Sequence, residues 1–272
     1  MPAEDDITLD EKRVYGDKRE ETSVFVASDM GVTRVEVAGD QIGRFSLEHD
    51  EAATSIAGAD GQLVVGTESD VLVGTGEGFA ATNFGEAAVV GIDDGTPLAV
   101  APDGTVARLE GDEWVTAGSV TGPRRMDGNL LATKGGVVRV AAGRYAMDAG
   151  PAVRDVAAAG PYAATADGLL AYGDDEWERV AGGDCTLVAS DGERAHAVSE
   201  DGLLVRRDDG WEVHELPADT ALADLGHGES LYAVTADGTV FVHAESDLSP
   251  DGQGGWRSRA LGVRNVTGLA VL

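Results

Sequence analysis

Three short segments of this chain place arginine in matching surroundings. They are Pro123-Arg124-Arg125-Met126, Val153-Arg154-Asp155-Val156 and Val263-Arg264-Asn265-Val266. A fourth, Ala223-Asp224-Leu225, carries an acid in a comparable setting. The chain has 20 basic residues against 49 acidic ones, so four clustered guanidinium groups stand out. A guanidinium offers a planar fork of donors to carboxylate or phosphate, and Arg124, Arg125, Arg154 and Arg264 are candidates for an anion site. The competing reading pairs each arginine with a nearby acid such as Asp155 or Asp224. Those pairs would be structural.

Other constellations are thinner. His196, His214, His227 and His243 fall near the C-terminal end, but no two have metal-ligand spacing. Asp247-Leu248-Ser249-Pro250-Asp251-Gly252 follows the first half of a calcium loop, with oxygen donors at Asp247, Ser249 and Asp251. Ser258 stands where that loop needs glutamate, and Pro250 interrupts it, so an acidic insertion is the expectation and no metal is assigned. The one cysteine, Cys185, excludes an intrachain disulfide and a Cys-based zinc site. It has no histidine beside it in sequence to activate it as a nucleophile. No G-x-S-x-G, phosphate-cradling loop or cofactor motif occurs, so no catalytic residue and no cofactor is assigned. An enzyme would need a carboxylate or Tyr–Glu pair beside the arginines, for which Asp155, Asp224 and Tyr162 are candidates.

The elements that position these residues come from a repeat. A turn motif recurs seven times: Asp29-Met30-Gly31, Ser69-Asp70-Val71, Asp103-Gly104, Gly135-Gly136, Asp167-Gly168, Asp201-Gly202 and Asp237-Gly238. The spacing is roughly 32 to 39 residues, the period of a repeat architecture. Apolar runs flank each turn, and Asp-Gly between two such runs predicts a hairpin with both turn residues at positive φ. Aligned on the turn, each unit has four strands, a to d. The third unit reads 87–92, 97–101, 105–109 and 113–117. Trp114, Trp177, Trp211 and Trp256 each open a strand d and are expected to pack between neighbouring units. The first unit starts at strand b near Val24, and the last segment, Val263–Val271, reads as an unpaired strand a. The predicted fold is therefore all-β: a seven-bladed β-propeller of four-stranded antiparallel blades. The C-terminal strand joins the N-terminal blade to close the ring, removing an open edge. Residues 1–20 lie outside the repeat as an N-terminal extension and residues 21–272 form one propeller domain. Strand a lines the channel of a propeller, so the arginines would gather at one mouth.

Composition narrows the function classes. The net charge is −29, and only Lys12, Lys18 and Lys134 are lysines. The acids are spread over the units rather than blocked in a tail, as expected of a protein held in molar salt that screens self-repulsion. Such a charge opposes binding to nucleic acid. No run approaches the roughly 18 apolar residues of a membrane span, and a cytoplasmic, monomeric protein is expected.

The opening residues Asp10-Glu11-Lys12-Arg13-Val14-Tyr15-Gly16-Asp17 and Val24-Phe25-Val26-Ala27-Ser28-Asp29-Met30-Gly31-Val32, with the acidic composition, resemble an uncharacterised haloarchaeal family of seven-bladed β-propellers. The resemblance spans the chain and implies the fold, with no activity to carry over. The units faintly resemble the Asp-box repeats of sialidases and photosystem-assembly propellers, but here tryptophan follows the turn glycine by about nine residues rather than a few. WD-repeat proteins match less well, since no unit ends in Trp-Asp. The expected function is a non-catalytic scaffold for a protein partner in a halophilic cytoplasm. The alternative is a hydrolase, lyase or sensor holding a small anion at the arginine-lined mouth.

Overall fold

The computed structural model describes residues 21–272 apart from 77, 141–143, 148–149, 151 and 244–254. The N-terminal extension and the loop with Asp247, Ser249 and Asp251 lie outside the described residues.

Seven four-stranded antiparallel sheets are arranged as blades. The first is ordered β28 (Gly268–Val271), β1 (Glu21–Ser28), β2 (Gly31–Ala38) and β3 (Gln41–His49). The other six follow in chain order over residues 53–81, 89–119, 123–147, 155–181, 185–214 and 222–260. The C-terminal strand pairs with β1 in the register Val24↔Val271 to Ala27↔Gly268. The blade ends on two further backbone bonds between Ser23 and Leu272, of 2.8 and 2.9 Å. The first blade is thus assembled from both ends of the chain, as the phase of the repeat predicts.

The blades hold together through seams. Strands of valine, alanine and leucine are apolar on both faces, so adjacent residues feed opposite seams: Val64 packs toward the third blade and Val65 toward the first. Leu130 and Leu131 divide in the same way between the fifth and third blades. Both-sided burial is why these strands read as continuous apolar runs rather than as alternation. Tryptophan seals the seams near the rim. Trp114 stacks at 4.7 Å on Phe84 and donates to Thr82 Oγ1 at 3.2 Å, and Trp211 meets the Tyr162 edge at 5.5 Å.

The recurring turn corrects one expectation. Its glycine is left-handed, as at Gly104 (φ 91°) and Gly168 (φ 137°), but its aspartate is not. The paired left-handed turns sit elsewhere: at Asp60-Gly61 and Asp94-Gly95, between strands a and b, and at Asp174-Asp175, between strands c and d. The repeated glycine serves close approach as well as φ. A Cβ on Gly168 would stand 2.3 Å from the Ala181 carbonyl oxygen, and one on Gly104 would stand 2.0 Å from that of Val120. The strand d backbone lies directly over the turn. A second signature precedes the glycine. The hydroxyl ending strand b donates across the turn: Thr67 to Asp70 O at 2.9 Å, Thr133 to Gly136 O at 2.8 Å and Thr165 to Gly168 O at 2.7 Å.

Two glycine substitutions separate these causes. Gly168→Ala meets backbone that cannot withdraw and should cost about 3 kcal/mol. Gly61→Ala has open space around it and carries only the left-handed penalty of about 1–2 kcal/mol. Urea unfolding of both variants in molar KCl reads the difference. Equal losses would remove close approach as the reason for the repeated glycine.

Candidate functional site

The inner strands of the blades surround a central cavity of about 790 Å³. Besides β28 they include β4 (Ala53–Ala59), β8 (Val89–Asp93), β12 (Pro123–Asp127), β16 (Asp155–Ala157), β20 (Cys185–Ser190) and β24 (Leu222–His227). Irregular pairing near the start of several of these strands fixes what faces a neighbouring blade: the register shifts between Ala53 and Ser55 in β4 and between Pro123 and Arg125 in β12.

Two slots repeat around the ring. In the first, a side chain donates to a carbonyl at the start of the next blade. Thr54 Oγ1 reaches Ala87 O at 2.6 Å, Arg124 Nη1 reaches Val153 O at 2.9 Å, Arg154 Nη1 reaches Cys185 O at 3.3 Å and Thr267 Oγ1 reaches Ala53 O at 2.9 Å. In the second slot, one residue on, an oxygen accepts a backbone N–H from the next inner strand. Ser55 Oγ accepts from Val90 at 3.2 Å, Asp155 Oδ2 from Val188 at 2.9 Å and Asp224 Oδ2 from Leu269 at 2.8 Å.

The predicted residues distribute over these slots. Arg124 and Arg154 occupy the first slot, equivalent to two threonines. Arg154 is also bidentate to Asp184, with Nη2 3.1 Å from Oδ2. Asp155 and Asp224 occupy the second slot. Arg125 stands in an acceptor slot without an acceptor and reaches across the cavity instead. Its Nη2 donates to Ala223 O at 2.6 Å, and its Nη1 lies 3.2 Å from Asp224 Oδ1, joining the fourth blade to the seventh. Arg264 is exposed and outside the cavity lining. Thr267 holds the slot its local sequence resembles, because the chain bends at left-handed Asn265 (φ 51°) before β28 begins. The structure therefore brings Arg125, Asp155 and Asp224 together and leaves Arg264 apart. Cys185 is buried, and desolvation pushes its thiol up to about 11, so it is an unreactive core residue.

Asp127 joins the cluster without having been singled out from sequence. Its Oδ2 accepts from Ala158 N at 2.6 Å; the residue keeps an exposed face, and desolvation by the ring around it raises its carboxyl, with Asp224 adding to the effect. Asp155 is 5% exposed. Desolvation raises it to about 7, Arg125 opposes, and Asp224 pushes it further up. Asp224 in turn is the main cause of the raised Arg125. The unit is one guanidinium among three carboxylates, with one carboxyl raised to about 7.

Asp155 titrates near 3.9 when unfolded and about 7 when folded, so the folded chain binds more protons between those values. The stability it contributes is full below pH 4 and is lost as pH rises through 7. The shift corresponds to about 4 kcal/mol. Asp155→Asn keeps an oxygen for Val188 N and cannot ionise. It should flatten the stability profile between pH 5 and 8, and the variant should be more stable than wild type at pH 8. Matching profiles for the two proteins in urea unfolding at fixed KCl would contradict this assignment.

Comparison with known proteins agrees with the architecture. The profile of the family described as Beta-prop_HVO_0234-like, beta propeller, matches residues 8–272. No curated protein matches the sequence. Among solved structures, the extracellular domain of the putative one component system BT4673 from B. thetaiotaomicron superposes with a TM-score of 0.55 at 11% identity, over 79% of this chain and 38% of that one. The present chain thus spans well under half of that structure. Apo AztD from Citrobacter koseri gives a TM-score of 0.55 at 11% identity, over 90% of this chain and 84% of that one. YCF48 bound to D1 peptide gives 0.53 at 14% identity, over 75% and 79%. These identities speak for the fold alone. The profile match, by contrast, runs through all seven blades and into the residues before the first: the chain belongs to the HVO_0234-like β-propeller family.

Proposed function

We propose that the protein is a non-catalytic binding scaffold, a rigid ring that presents its faces and rim to a protein partner in a halophilic cytoplasm. The observation that carries this reading is the engagement of the cavity arginines. Arg124 is held by Val153 O, Arg154 by Asp184 and Cys185 O, and Arg125 by Asp224 and Ala223 O. Each guanidinium serves a contact between blades, Arg125 and Arg154 with an acid as well and Arg124 through its one carbonyl bond while exposed; on this reading recognition falls to the surface of the ring. That surface carries scattered apolar side chains amid acid, including Met30 at a hairpin tip and Leu47 and Val213 on outer strands, each about half exposed. A net charge of −29 fits a solution of molar salt, where screening shortens repulsion to a few ångströms and apolar contacts dominate association. One fold relative, YCF48, was solved with a bound peptide.

The second reading, a small anion at Arg125, is favoured by one feature: among the described residues that arginine alone crosses the cavity. An anion would have to displace Asp224 from it, leaving a carboxylate in the ring with its charge uncompensated.

Affinity purification of the tagged chain at native KCl concentration distinguishes the two. The scaffold reading expects a stoichiometric protein partner whose capture survives Arg125→Gln and weakens at least tenfold with Leu47→Glu, Val213→Glu or Met30→Glu. Capture of no partner, together with phosphate- or carboxylate-dependent stabilisation that Arg125→Gln abolishes, would overturn it in favour of the anion site.

A further inference from the structure

Two of the five histidines in the chain meet at the seam between the sixth and seventh blades. His196 lies in β21 (Ala195–Ser199), and His227 ends β24. His196 Nδ1 stands 2.8 Å from His227 Nε2. The residues come from facing blade surfaces: His196 is cross-strand to Val205 and His227 to Leu231, and Val205 and Leu231 share one seam cluster. The pair forms part of the wall between two cavities. His227 lines the central one. His196 lines a second, of about 580 Å³, whose charged lining is Glu193, Asp208, Asp209 and Glu212 with Arg194, Arg206 and Arg207.

Two imidazoles held this way either share one N–H···N hydrogen bond or direct both lone pairs at a common ion. The second state needs no change in net protonation, because the shared proton moves to the other nitrogen of its own ring. It requires the nitrogens to part by about half an ångström and each ring to turn its lone pair off the N···N line. Two ligand bonds of about 2.0–2.1 Å at a tetrahedral angle set the nitrogens about 3.3 Å apart. Arg194 and Arg207 are nearby cations; Arg194 is engaged by Asp191 at 2.5 Å, with a further bond to Gly228 O at 2.6 Å, and Arg207 by Glu212 at 3.2 Å. No group of three His, Cys, Asp or Glu with metal-binding geometry occurs among the described residues. Water from the adjoining cavities would complete the coordination.

We propose that His196 and His227 form a two-imidazole site for a divalent transition-metal ion of the Zn²⁺ or Ni²⁺ class, which ties the sixth blade to the seventh. Nitrogen ligands select such ions over Mg²⁺ and Ca²⁺. The site is separate from the Arg125 cluster and independent of the partner reading above.

Thermal unfolding of the full chain in molar KCl tests it. Zn²⁺ or Ni²⁺ at saturating concentration should raise Tm by about 2–4 °C, while Mg²⁺ at the same concentration should not. His196→Asn and His227→Asn should each abolish the shift, and His214→Asn, on an outer strand, should keep it. Absence of a shift, an equal shift with Mg²⁺, or a shift that persists in both variants would overturn the proposal. Cu²⁺ added to the unmutated protein gives a readout that does not depend on the variants folding. Its EPR spectrum should show coupling to two imidazole nitrogens, and an oxygen-only spectrum would equally overturn the site.

Discussion

Every blade of this ring is apolar on both faces, and that condition governs the rest of the structure. A sheet with Val64 turned one way and Val65 the other needs a neighbour on each side. A linear stack would leave two terminal blades with an exposed apolar face. Closing the stack into a ring leaves none. Closure then demands a joint that does not slip, and the chain supplies it by building the first blade from its two ends. The four-residue register of β28 on β1 links residues more than two hundred positions apart, so opening the ring requires breaking a sheet and exposing a seam at the same time. Arg257 and Arg259 reinforce the same joint from outside, reaching Asp40 Oδ2 at 3.3 Å and Gly43 O at 2.6 Å in the first blade.

Inside the ring, inner strands of neighbouring blades belong to separate sheets, with an isolated bridge at Ala159–Asp191, and their polar groups need other partners. The two repeated slots answer this. Small hydroxyls suffice at Thr54, Ser55 and Thr267, while longer or charged groups do the same work at Arg124, Arg154, Asp155 and Asp224. Charge enters the channel lining as a substitute for hydroxyl, and its consequence is local. A carboxylate in the slot is desolvated and titrates near 7 at Asp155, whereas a serine there titrates not at all. Arg125 is the exception that crosses the cavity, because its slot calls for an acceptor it does not have.

Much of this was legible in the sequence. The turn glycines set the phase, the phase placed strand a at the C-terminus, and the four tryptophans marked the start of strand d. The exchanged strand followed from that phase alone. The site was less legible because side chains in the slots act on the next blade, and local similarity misjudges which residue that is. Val263-Arg264-Asn265-Val266 looks equivalent to Val153-Arg154-Asp155-Val156, yet a left-handed turn at Asn265 moves the slot to Thr267. A usable signal was present all the same. Residues about one repeat apart lie on adjacent blades, as Thr54 and Ala87, Asp127 and Ala158, and His196 and His227 do. Reading at that offset, rather than at metal-ligand spacing along one strand, would have found the histidine pair. The hydroxyls of Ser28, Thr67, Thr133, Thr165, Ser199 and Thr235 were equally visible, three residues ahead of Gly31, Asp70, Gly136, Gly168, Gly202 and Gly238, with Ala101 in that place in the third unit.

The central claim is that closure by the exchanged strand holds the ring as one cooperative unit. Urea unfolding of the chain ending at residue 262, with and without a synthetic peptide of residues 263–272, tests it most directly. The shortened chain should lose its single sharp transition in molar KCl and regain it when the peptide is added in excess. A shortened chain with the same midpoint and slope as the full protein would contradict it.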